Sequence, residues 1–115
     1  MTALRRDLVI EQGASWNQAW RFTVGGQPFV DASWTVRAQA RQRQDATEVL
    51  HEWTSTGPSA NASIDNQGTV VLTVEASTSS AWAWRYGVYD LEVSKAGVTH
   101  RLVEGLVRVV GEVTR

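Results

Sequence analysis

The sequence predicts an all-β domain: an antiparallel β-sandwich with one short helical turn. Three observations lead there. Apolar side chains recur at every second position through several segments, the spacing that places them on one face of a strand. Turn signals built on glycine and Asx residues separate those segments at short intervals. The 115 residues suffice for one domain, whose core can fold without crosslinks, as a chain with no cysteine must. The expected domain is residues 1–115, with an ordered core over about 7–112.

The elements follow in order. After Ile10, "EQGAS" offers a glycine-bearing reversal. Trp16, Trp20, Phe22 and Val24 then share one parity, interrupted by Gln18, and "GGQP" at Gly25–Pro28 turns the chain again. Trp34, Val36, Ala38 and Ala40 form one face of the next strand, with Thr35, Arg37, Gln39 and Arg41 on the other. The polar run Arg41–Glu48 reads as a protruding loop, and Trp53 lies in a short strand of ambiguous parity. "DNQG" at Asp65–Gly68 leads into a strand where Val70, Leu72 and Val74 alternate with Thr69, Val71, Thr73 and Glu75. Serine and threonine ahead of alanine and tryptophan in Glu75–Trp84 predict one helical turn, near Thr78–Trp82. Tyr89, Leu91 and Val93 alternate with Asp90, Glu92 and Ser94, and "KAG" at Lys95–Gly97 closes a hairpin between Tyr86–Ser94 and Val98–Val110. Gly105 breaks the parity of that last run, which predicts a β-bulge there.

Few residues point to chemistry. His51 and His100 lie far apart, both in expected strands, and neither has a second ligand at a recognised metal spacing. No Gly-x-Ser-x-Gly elbow surrounds a serine, and no Lys-Ser/Thr follows Gly25–Gly26 as a phosphate loop requires. Asp65, Asp90, Glu92 and Glu104 could pair as glycosidase acids, but Asp65 sits in a turn and Asp90 and Glu92 on an outward strand face. No catalytic residue, cofactor or metal is therefore expected. A net charge of −1 with interspersed signs argues against nucleic acid as a partner. Arg5, Arg6 and Asp7 interrupt the opening segment, so it does not read as an export signal, and no apolar run is long enough to enter a bilayer. The sequon Asn61-Ala62-Ser63 carries no weight without such a signal.

Two features could meet a partner. Arg37 and Arg41 project from one side of a strand with Arg43 just beyond, either as a solvated face or as forks for carboxylates. Six tryptophans is well above ordinary usage. Parity assigns Trp20 and Trp34 to the core. Trp82 and Trp84 stand on the helical turn, where residues two apart do not share a face. The expectation is one inward plug and one exposed anchor, rather than a flat platform for a sugar.

The order of these elements resembles small virion proteins of tailed bacteriophages, including the N-terminal domain of phage baseplate upper proteins. "DLVIEQGASWNQAWRF" is similar to their opening, "WTVRAQAR" to the strand that follows, "GTVVLTVEASTSSAWAWRYGVYDLEV" to their Tyr-Asp-Leu segment, and "GVTHRLVEGLVRVVGEVTR" to their closing hairpin. The resemblance spans Asp7–Arg115 and implies an immunoglobulin-like sandwich in which Tyr89-Asp90-Leu91 is architectural. It also implies a non-enzymatic minor tail protein of the tail tip or baseplate, assembled in the bacterial cytoplasm with copies of itself and other tail proteins. Where the family has small residues, this chain has Trp82 and Trp84. With Arg37, Arg41 and Arg43 they make up the expected partner surface. A carbohydrate-binding module gripping a host-surface glycan, a head–tail connector and a capsid decoration protein are the alternatives.

Overall fold

The computed structural model describes residues 3–114. Eleven strands and one short helix follow in the order β1 (Leu4–Arg5), β2 (Leu8–Glu11), β3 (Trp16–Arg21), β4 (Thr23–Val24), β5 (Gln27–Pro28), β6 (Thr35–Arg41), β7 (His51–Thr54), β8 (Ala62–Ile64), β9 (Thr69–Val74), α1 (Ala76–Ser80), β10 (Tyr86–Lys95) and β11 (Val98–Val110). The larger sheet runs β1-β11-β10-β6-β7, with β2 beside β11 on the same edge as β1; the smaller runs β3-β9-β8. Strands β4 and β5 form a separate hairpin through Gly25 and Gly26, both at positive φ.

Period-two alternation puts Val36, Ala38, Ala40, Leu91 and Val93 of the larger sheet against Val70, Leu72 and Val74 of the smaller, all buried. The β10–β11 hairpin closes through Ala96 and Gly97 at φ 50° and 85°, the left-handed pair that a two-residue hairpin turn requires. The Asp65–Gly68 reversal is held by the Asp65 carboxylate, which accepts from the Gln67 and Thr69 amides. Arg41–Glu48 leaves the sheet as a loop, as its polarity predicts.

Several expectations need correction. Pairing is antiparallel except at the N-terminus, where β1 and β2 run parallel to β11. The bulge lies at Leu102, not Gly105: Leu91 pairs with Val103 and Glu92 with Arg101, so Leu102 is the extra residue, buried like its neighbour. Gly105 has a different task. A Cβ there would collide with the Arg6 carbonyl, which the crossover between β1 and β2 presses against β11. Tyr89 donates its hydroxyl to that same carbonyl at 2.5 Å, and Asp7 accepts the Leu106 amide at 2.9 Å.

Val24 leaves the core face because the chain turns out into the β4–β5 hairpin after Phe22. Trp20 and Trp34 are only part-buried, since β3 is an edge strand and Trp34 precedes β6 at the sheet's end. The fully buried tryptophan is Trp53, which spans the sandwich to donate its indole N–H to the Thr73 carbonyl at 3.1 Å. The helical turn starts two residues earlier than expected and ends at Ser80. The described helix is far too short to cross a membrane.

Candidate protein-interaction surface

Side chains of even number on β10, of odd number on β6, and on β11 Arg101 before the bulge and the even-numbered ones from Glu104 onward, point away from the core and tile the solvent face of the larger sheet. Strand register arranges them in rows. Arg37, Glu92 and Arg101 form one; Gln39, Asp90, Glu104 and Arg5 the next; Arg41, Val88 and Leu106 a third; Tyr86, Arg108 and Val9 the last.

Apart from Glu104, the charged groups of the first two rows are paired, with one another, with Glu52 or with Asp7. Glu52, across from Gln39 on β7, accepts from Gln39 at 2.6 Å and Arg37 at 3.0 Å. Those bonds, the amide first and the guanidinium second, hold its carboxyl below the usual range. Arg101 bridges Asp90 at 3.4 Å and Glu92 at 3.9 Å. All of these groups are substantially exposed, so each pair contributes about 0–1 kcal/mol. Between them lies a polar hollow of about 400 Å³.

Beyond Leu106 the face becomes apolar. A groove of similar volume, about 400 Å³, is lined by Val9, Tyr86, Val88 and Leu106 with Arg108 at its side. Tyr86 is 69% exposed, Val9 54% and Leu106 48%. None of the residues expected to meet a partner lines this groove. Its signal was the presence of apolar side chains at outward parity, which the inward alternation overshadowed.

The arginines divide. Arg37 and Arg41 do share the outward face, but Arg41 donates to the carbonyls of Ala46 and Thr47 and to the Gln39 amide oxygen, bracing the following loop. Arg43 sits in that loop with Asp45 at 3.3 Å.

Trp82 and Trp84 form a second feature, on the core side of β7 rather than beside the arginines. The chain after α1 runs without helix, so both rings fall on one side, flanked by exposed Ala81, Ala83 and Arg85. They stack on each other at 4.7 Å, tilted by 34°. This overturns the expectation of one ring in and one out: both are part-buried against the core. Trp82 also meets His51 at 5.1 Å, and His51 meets Trp53 edge-on at 4.6 Å. Gln12 ties the corner down by donating to the Trp82 carbonyl at 2.9 Å, while Ser79 accepts the Gly13 amide at 2.8 Å. Stacked on one another, the two rings do not lie side by side as one flat platform.

His51 Nε2 and Trp84 Nε1 are buried there without a hydrogen-bond partner among the described residues. Burial pushes the His51 imidazole down to about 4, against the opposing pull of the Glu52 charge. His100 packs elsewhere, between Phe29 and Trp34. Among the described residues no cluster of three metal-ligating side chains occurs.

Among solved structures the chain is similar to the extracellular domain of the voltage-gated sodium channel β4 subunit, described as forming parallel homodimers in cell–cell adhesion. The TM-score is 0.50 at 10% identity, covering 98% of this chain and 97% of that one. The fold is an immunoglobulin-like β-sandwich. At that identity the likeness extends to architecture alone. No protein-family model and no curated protein matches the sequence.

Proposed function

We propose that this immunoglobulin-like domain is a non-enzymatic structural component of a bacteriophage virion, a minor tail protein of the tail tip or baseplate that assembles with itself and with neighbouring tail proteins. The observation that carries a protein-binding role is the solvent face of the larger sheet, where an apolar groove adjoins a ladder of paired charges. That combination of an apolar centre and a polar rim is the anatomy of a protein interface. The phage assignment is supported by the sequence resemblance from Asp7 to Arg115, including Tyr89-Asp90-Leu91. Tyr89 supports its architectural part by bonding the N-terminal crossover. The sodium channel β4 domain, described as a homodimer, gives precedent for self-association on this fold.

The test is made on particles. Virions carrying the gene are purified by density gradient, washed in concentrated sodium chloride and digested for peptide mass spectrometry. The peptides of this chain are expected in stoichiometric amount after the wash. In roughly molar salt the Debye length is near 3 Å, so exposed ion pairs weaken while apolar contacts persist. Absence from unwashed particles would refute the virion assignment, and release by salt alone would show that charge pairing holds the protein.

A further inference from the structure

Leu106 lies between two charges of opposite sign, neither of which has an ion-pair partner among the described residues. Glu104 and Arg108 flank it on the same outward face of β11. Arg5, Arg37, Arg43 and Arg101 all have acidic partners, whereas neither Glu104 nor Arg108 joins an ion pair among the described residues. The two Cα positions are about 13 Å apart, four strand steps, with the leucine between them. They do not serve each other.

We propose that this face binds a second copy of the chain, with β11 crossing β11 over Leu106 in antiparallel sense. The inference deepens the self-association part of the proposed function and rests on that reading.

Charge complementarity selects this occupant and its orientation. A face-to-face pair of identical sheets has its two-fold axis in the plane of the interface. With the axis perpendicular to the strands and over Leu106, each leucine meets its own copy. Glu104 then faces the partner's Arg108, and Arg108 the partner's Glu104. On β10, register places Asp90 beside Glu104 and Tyr86 beside Arg108, so the same operation brings the Tyr86 hydroxyl to the partner's Asp90. Val88 meets its own copy beside Leu106, and Val9, next to Arg108, meets the partner's Arg5 next to Glu104. Turning the axis to lie along the strands would instead put Glu104 against Glu104 and Arg108 against Arg108. The antiparallel arrangement is the one that pairs these charges.

Two like-charge meetings remain, and both groups are already committed. Arg41 stands in the Leu106 row, two strands along the axis from Leu106, and donates to Ala46, Thr47 and Gln39. Asp7 accepts the Leu106 amide and lies 3.6 Å from Arg5. Aligned sheets cross at about 30°, which carries such marginal groups apart.

Sedimentation equilibrium on the purified full chain, from low micromolar to several hundred micromolar, tests the arrangement. Wild type should dimerise. Leu106→Asp, a change on an exposed strand face, should remain monomeric over that range with an unaltered circular dichroism spectrum. Glu104→Arg and Arg108→Glu should each weaken dimerisation by about 30-fold or more, the loss typical of a central contact. Mixing those two variants should restore dimers, because each then supplies the charge its partner lacks. The doubly reversed chain should dimerise like wild type. A monomeric wild type, a dimer indifferent to Leu106→Asp, or single variants that mixing does not rescue would each overturn the proposal. Failure here leaves the virion assignment standing, since that depends on peptides found in particles. A dimer missing from particles would sink the assignment and spare the dimer.

Discussion

His51 is a neutral imidazole wedged between Trp53 and Trp82, with Nε2 buried and unbonded. Its ordinary value of 6.5 is lowered to about 4 in the folded chain by burial. Between those two values the unfolded chain binds the proton and the folded chain does not. The stability tied to His51 is therefore fully present above about pH 6.5 and is lost as pH falls towards 4. At ~1.4 kcal/mol per unit, discounted because the ring is partly exposed, the loss is about 2 kcal/mol. His51→Leu should remove that dependence while changing stability little at pH 7, since it replaces an unsatisfied polar atom by an apolar one. Urea unfolding of both proteins from pH 7 to pH 4 checks this; parallel curves would contradict it. The acidic groups held low elsewhere, Asp31 and Glu52, titrate in both proteins and cancel. The aromatic packing behind this behaviour was poorly legible in the sequence. Trp53 lies in a strand of four residues, too short for parity to repeat, and the turn bearing Trp82 and Trp84 opens out after Ser80, so helical geometry gave the wrong faces.

Longer elements were legible because a strand with one buried face must alternate. β6, β9 and β10 each repeat the pattern several times, and their buried sets match the parity reading. Parity reports faces and not partners, however. The parallel docking of β1 and β2 depends on contacts made more than ninety residues away, and no local period encodes them. Gly105 does interrupt the alternation, but a close backbone approach and not a bulge is the cause. It makes room for the Arg6 carbonyl, which Tyr89 then bonds. Gly105→Ala should destabilise by about 1–3 kcal/mol through this forced overlap, and Tyr89→Phe by about 1 kcal/mol through the lost bond. Both act on the position of one carbonyl, so the double variant should lose less than the sum. Thermal or urea unfolding of the four proteins measures the coupling; strict additivity would mean that the glycine and the tyrosine do not share that task.

At the scale of the molecule, two sheets enclose one core, and the N-terminal segment closes its edge. Leu8 and Ile10 enter the interior at 3% and 0% exposure, while β1 and β2 cover the free edge of β11. Burying two such side chains contributes about 1.5–3 kcal/mol each. The Tyr89 bond to Arg6, the Asp7 bond to Leu106 and the strand bonds add to that. The total is comparable with the ~5–15 kcal/mol by which a domain of this kind is stable. Removing residues 1–10 would also leave a long, flat β11 edge open to pairing with other chains. The shortened protein is expected to be unfolded or aggregated, with dispersed amide resonances lost. Beyond β11 the situation reverses: Val113 is 94% exposed, outside the strand and the core cluster. A chain ending at Glu112 should keep its melting temperature within a few degrees, because surface changes of this kind cost about 0.5 kcal/mol or less. Melting and heteronuclear NMR of the two truncations decide the matter. A folded chain lacking residues 1–10 would mean that the antiparallel strands alone suffice for the sandwich, and that the parallel edge serves some purpose other than stability.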